Sequence, residues 1–263
     1  MTPTASVQPE SQAVTRLHGR VVARQTLDIG TREAMFSLLA AHFVGVDRTA
    51  FERELADKSC AILLEDDAGD LRGFSTMVVY ESRAAATSVS VVYSGDTIVD
   101  RAWWGTPALA RTWVRAVQQL APDSESREVY WLLLTSGFRT YRFLPVFFRE
   151  FYPRFDAVMP PRDAELRDGL ARERFGRQYD AASGVVRFVQ PQILAPDLVT
   201  LPRQRMTRKN TEHEPVPDPH IAFFLECNPG FVRGDELVCL TRIDEQNLTP
   251  AGRRMSRPSS QEG

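Results

Sequence analysis

The sequence has no uninterrupted apolar run near about 20 residues, which excludes a membrane-spanning helix. Cysteine is scarce. Cys60, Cys227 and Cys239 cannot all pair with one another, and their apolar neighbours (CAILL, VCL) make them reduced core thiols. An excess of one charge is also missing: 32 basic residues stand against 34 acidic ones, for a net charge of −2. That balance gives no electrostatic case for nucleic acid. No pair of histidines or cysteines has metal-ligand spacing, so no structural zinc is expected. The chain lacks a G-x-S-x-G elbow, a phosphate-binding P-loop and a dinucleotide fingerprint. Its first 20 residues, MTPTASVQPESQAVTRLHGR, lack the apolar core of a signal peptide. They read as a loose tail, and a reducing, cytoplasmic setting is the expectation.

What is present is ordinary for a globular protein: 263 residues, 43% hydrophobic and 25% charged. That length suits one large domain or two small ones. A first strand is expected over GRVVARQTL, 19–27. TREAMFSLLAAHF, 31–43, has Met35, Leu38, Leu39 and His42 at helical spacing, with Thr31 as the expected N-cap. His42 on that apolar face reads as a packed histidine rather than a base. DRTAFERELADK, 47–58, is a second helix capped by Asp47. CAILLEDDAGDLRGFSTMVVYES, 60–82, is a hairpin turning at Gly69. A long β-branched strand, TSVSVVYSGDTIV, 87–99, leads through Gly105 into a helix at 107–120 that opens on Pro107. EVYWLLLT, 128–135, is a strand buried on both faces. LPVFFREFYPRF, 144–155, reads as a short aromatic helix, and 163–179 as an amphipathic one. Residues 180–219 read as a proline-rich excursion that includes His213. HIAFFLECN, 220–228, and DELVCLTRI, 235–243, read as two closing strands.

This order implies an α/β (α+β) fold in which helices flank both faces of a mixed, mostly antiparallel sheet. It resembles the GNAT superfamily of acyl-CoA-dependent N-acyltransferases over roughly residues 19–155 and 220–243. That fold opens with a strand and two helices. A three-strand meander follows, then a helix, a strand, a helix and a closing strand pair. The superfamily binds the pyrophosphate of coenzyme A with an Arg/Gln-x-x-Gly-x-Gly/Ala loop where the fourth strand meets the third helix. Here the segment reads Arg101, Ala102, Trp103, Trp104, Gly105, Thr106, Pro107, Ala108. It has one glycine instead of two, one residue further from the arginine than the pattern asks. A helix start offers free N–H groups and a positive dipole end to an anion. Pro107 removes one donor, and Arg101 or Arg111 would supply charge. The same residues also read as a plain tight turn.

The resemblance implies an acyl-CoA donor, with an acyl-carrier protein as the alternative, and a small-molecule or peptide amine acceptor. No metal is implied, and a homodimer is left open. Acyl transfer to an amine needs a base, an oxyanion donor and an acid for the leaving thiolate. Glu81 and Asp96 are the candidate carboxylates. Asp96 is the stronger candidate because aspartate is depleted in strands, although a bulge or turn role fits YSGDT equally. The resemblance implies an acidic tyrosine for which Tyr152 and Tyr141 are the candidates, and an aromatic packed on the core with its hydroxyl at the rim is the equal reading of each. Thr135, Ser136, Arg139 and Arg142 follow the buried strand, at the end of the sheet where ligands of open α/β sheets gather. The expected organisation is a flexible tail to residue 18, one domain over 19–245 with an insertion at 156–219, and a flexible tail from 246. A catalytically inactive ligand-binding or scaffold protein of the same fold is the competing expectation.

Overall fold

A computed structural model describes residues 16–84, 88–120, 127–199, 207–208 and 216–256. The first half comprises β1 (Leu17–Ala23), α1 (Ile29–His42), β2 (Phe43–Val44), α2 (Arg48–Ala56), β3 (Cys60–Asp66), β4 (Leu71–Ser82), β5 (Val89–Val99) and α3 (Ala108–Leu120). Then follow β6 (Val129–Thr135), α4 (Phe138–Tyr141), α5 (Phe143–Phe147), α6 (Pro161–Phe175), β7 (Tyr179–Asp180), β8 (Val185–Val186), β9 (Ile193–Leu194) and α7 (Pro196–Val199). The last elements are β10 (Thr207–Arg208), β11 (Val216–Pro217), α8 (Pro219–Cys227), β12 (Glu236–Arg242) and α9 (Pro250–Ser256).

The main sheet runs β1-β3-β4-β5-β6-β12-β8-β7. Its neighbours are antiparallel except β5 and β6, which are parallel. Two parallel neighbours need a crossover, and α3 lies on it. The apolar run of β6 is buried along its whole length, and each such side chain contributes about 1.5–3 kcal/mol on burial. Alternate residues divide the core. Ile62, Met77, Val92, Trp131 and Cys239 pack beneath α3, α4, α5, α8 and α9. On the other face Val91, Leu132 and Val238 meet α6, and Leu63 and Phe74 meet α1 and α2.

The structure departs from the sequence reading at several elements. Asp28, not Thr31, caps α1: its carboxylate accepts from the Thr31 N–H at 2.6 Å. The segment 220–228 is helix α8, not a strand. Pro219 occupies its first turn and Asp218 accepts from the His220 N–H at 3.0 Å. An unbroken apolar run does not distinguish a buried strand from a buried helix, and the cap decides. The closing pair is therefore β12 with the short β8 on its outer side. Within the aromatic segment 144–155 the helix is α5, which ends at Phe147, and Phe148 is extended. Tyr152 pairs there with Leu240. Helix α6 starts earlier than expected and stops at Gly176, at φ 54°. Within 180–219, β7 and β8 join the main sheet and β9 pairs with β2. Residues 246–256, read as tail, carry α9, which packs on α3 and α5. Residues 1–15 and 257–263 of the two expected tails lie outside the described residues.

Candidate active site

A break in the sheet forms the site. The parallel rungs between β5 and β6 run from Ser90–Val129 to Ser94–Leu133 and stop. Beyond them β5 continues beside β4 to Val99, and β6 continues beside β12 to Thr135. The strands part just beyond a bond from the Trp131 indole N–H to Ser94 Oγ at 2.7 Å. The register of β5 on β4 shifts at the same place. Met77 faces Ser94 and Ser75 faces Thr97, so Gly95 and Asp96 together oppose Thr76. This is a β-bulge, and the extra residue reverses strand parity. Tyr93 and Ile98 consequently both pack on the α1, α2 and α6 side despite their odd and even numbers.

A cavity of about 1280 Å³ occupies the break. On one face of the sheet its wall comes from α1 and α2, with His42 and Glu54. On the other it comes from α3, α5 and α9, with Leu109, Phe143, Phe147 and Met255. The cavity therefore passes through the plane of the sheet. One lobe is acidic and the other apolar.

The acidic lobe holds Asp96, Glu236 and Glu54. Burial, with the Glu54 carboxylate adding to it, pushes the Asp96 carboxyl up to about 7 against the pull of the Lys58 ammonium. Glu236 rises to about 8, again chiefly through burial, with Asp96 and Glu54 adding like charge. Neither carboxyl takes a hydrogen bond from the described residues. Lys58 is itself buried, with Nζ 5.1 Å from the centre of the Tyr93 ring. Burial, and then the Arg174 guanidinium, lower its affinity for a proton.

The turn into α3 forms the rim between the lobes. Gly105 sits at φ 93°, a conformation that favours glycine. Trp104 donates its indole N–H to the Val99 carbonyl at 2.7 Å, which fixes its ring. The Arg139 guanidinium lies 4.0 Å from the centre of that ring and Arg101 5.5 Å from it. Two cations thus converge on one indole beside the N-terminus of a 13-residue helix, an arrangement suited to an anion.

The meander, the crossover helix and the splayed parallel pair decide the architecture. The fold is GNAT-like. Solved structures with such folds are similar to this chain at a distance. One is a GNAT family N-acetyltransferase from Escherichia coli in complex with CoA, at 14% identity and TM-score 0.36, over 49% of this chain and 68% of that one. Another is an N-acyl amino acid synthase from uncultured soil microbes, at 13% identity and TM-score 0.36, over 51% of this chain and 79% of that one. A third is a conserved protein of unknown function from Enterococcus faecalis V583, described as a probable N-acyltransferase. It is 14% identical, with TM-score 0.37, over 51% of this chain but only 33% of its own length. No protein-family model matches the sequence, and no curated protein matches it.

Within this GNAT-like frame, Asp96, Trp103, Trp104, Gly105, Thr106, Thr135, Ser136, Arg139 and Arg142 all line the cavity. Asp96 is both a bulge residue and a wall residue, so the two sequence readings of it coincide. Five candidates fall elsewhere. Arg101 stands at the rim, ion-paired with Asp197. Arg111, on α3, is not in the cavity wall. Glu81 lies at the far end of β4, opposite Ser90, and pairs with Arg127. Tyr141 is fully buried, and its hydroxyl donates to the Pro153 carbonyl at 2.9 Å. Tyr152 is drawn to β12 by its pairing with Leu240. The expected helix over 144–155 would have carried Tyr152, but helix α5 stops at Phe147 and Tyr152 bridges to β12 instead, while Tyr141 ends helix α4 in the core. Glu54, Glu236 and Tyr93 were not anticipated. Glu236 opens an apolar strand, and the local mismatch that singles out Asp96 also marks it.

Proposed function

We infer that this chain transfers an acyl group from a thioester, acyl-CoA or acyl-carrier protein, to the amine of a small molecule or peptide. One observation carries the reading: a carboxyl pushed up to about 7 stands on a strand bulge, where two parallel strands part around a cavity open to both faces of the sheet. A group that titrates near neutrality takes up and releases protons most effectively at working pH. The amine nitrogen attacks the thioester carbonyl, the N–C bond forms, and Asp96 takes the amine proton. In this reading a backbone N–H of the Gly95–Asp96 bulge donates to the tetrahedral oxyanion. The C–S bond then breaks, and the thiolate takes its proton from Glu236, whose higher affinity keeps it protonated at neutral pH. Arg139 on Trp104 and the start of α3 hold donor phosphates, while Leu109, Phe143, Phe147 and Met255 receive the apolar part of the donor.

Thermal shifts with acetyl-, butyryl- and palmitoyl-CoA test the donor, since a ligand at 100 times its dissociation constant stabilises by about 2.7 kcal/mol. Thiol release on adding a diamine tests the reaction. It is expected in the native chain and lost in Asp96→Asn. CoA binding without thiol release from any amine would favour a ligand-binding protein that has lost catalysis. Absence of both would remove acyl-CoA as donor.

A further inference from the structure

Residues 188–199 form a strap across the cavity, to which Phe188, Gln190, Leu194 and Leu198 contribute wall. Its two ends are held differently. Near its start the strap is clamped by packing: a side chain added at Gly234 would lie 2.6 Å from Pro191 Cβ and 2.9 Å from the Gln192 carbonyl. In its middle, β9 pairs with β2, and the Ala195 N–H donates to the His42 carbonyl at 2.8 Å. Its far end is held by the rim cations. Asp197 ion-pairs with Arg101, and Arg139 donates to the Leu198 carbonyl at 3.3 Å. Both arginines flank the Trp104 ring.

We propose that Asp197 is a built-in stand-in for a phosphate: the strap is a gate whose far end is fastened by Asp197 on Arg101, and an anionic ligand opens it by taking that arginine. A carboxylate and a phosphate oxygen compete for the same guanidinium N–H groups, so both cannot be served at full strength. Arg101 and Asp197 keep 52% and 62% of their side-chain surfaces exposed. An exposed pair holds weakly, so a ligand with more charge displaces it. Leu198, beyond the β9 anchor, then leaves the cavity wall, while Leu194 stays paired on β2. Donor binding and access to the cavity are thereby coupled through one ion pair. The gate rests on the donor reading above only in its choice of CoA as ligand.

The test is hydrogen exchange of the backbone over 193–199, with CoA and with inorganic pyrophosphate, in the native chain and in Asp197→Asn, alongside titration calorimetry. Either ligand is expected to accelerate exchange in the native strap. In Asp197→Asn exchange is expected to be fast without ligand, and CoA to bind up to about fivefold more tightly, the most that an exposed pair supplies. Unchanged strap exchange in Asp197→Asn overturns the gate. So does slower exchange on ligand binding, because the strap would then clamp the ligand. Pyrophosphate opening the strap while CoA fails to bind supports the gate and removes CoA as donor. CoA binding with no strap response overturns the gate and leaves the donor in place.

Discussion

Neutralising the paired carboxyls of the acidic lobe should change how stability depends on pH. Asp96 and Glu236 are raised to about 7 and about 8 in the folded chain, against about 3.9 and 4.3 in an unfolded one. Between these limits the folded state keeps protons that the unfolded state has lost. Raising the pH therefore favours unfolding: the contribution is fully present below about pH 4 and lost as pH rises through 7 and 8. Each group adds a slope of about 1.36 kcal/mol per pH unit over its window. From pH 5 to 8 the two together reach a ceiling of about 7 kcal/mol. Water in the cavity and coupling between the groups reduce this to an expected loss of about 2 kcal/mol, or about 6 °C in Tm. The assay is thermal unfolding from pH 5 to 9 of the native chain and of Asp96→Asn/Glu236→Gln, in which titrating histidines cancel. The native chain should lose stability across this range relative to the variant. Glu54→Gln should move the loss to lower pH, because Glu54 raises both groups. Parallel pH profiles for native chain and double variant would refute the placement of the pair in a desolvated lobe.

Two further substitutions test the frame. Gly105→Ala places a side chain at φ 93° with no atom within 4 Å of the new Cβ, so strain alone should cost about 1–2 kcal/mol in denaturant unfolding. Leu132→Ala, at a fully buried site in the central strand, should cost about 2–5 kcal/mol and lower Tm without altering affinity for CoA.

The sequence made the frame legible because its strands carry strong patterns. The all-apolar VYWLLLT reads as a central strand and is β6, and Gly69 turns the hairpin between β3 and β4. The site was half legible. A carboxylate in a β-branched strand is a local contradiction, and Asp96 stands in the cavity wall. The same contradiction at Glu236 went unread because that residue opens its strand, where polar residues are unremarkable. Glu54 carried no signal: a glutamate beside Phe51 and Leu55 reads as the solvated side of a helix until another element encloses it. Tyr141 and Tyr152 were misplaced for a different reason. The place of Tyr152 depends on where a helix stops, which its bridge to Leu240 on β12 sets, and Tyr141 is drawn into the core with its hydroxyl on the Pro153 carbonyl.

The break in the sheet has a consequence for the chain's covalent order. It divides the eight strands into β1-β3-β4-β5, all from residues 17–99, and β6-β12-β8-β7, all from residues 129–242. Each half is a contiguous stretch of polypeptide, and within the main sheet the described rungs that join them are the parallel ladder from Ser90 to Ser94, with the short β2–β9 pair as a second joint outside it. A protein sewn along so short a seam is a natural subject for fragment complementation. Two polypeptides divided between Leu120 and Arg127 should each carry a complete set of neighbouring strands. Reassembly would have to rebuild the seam and, with it, the cavity at its end.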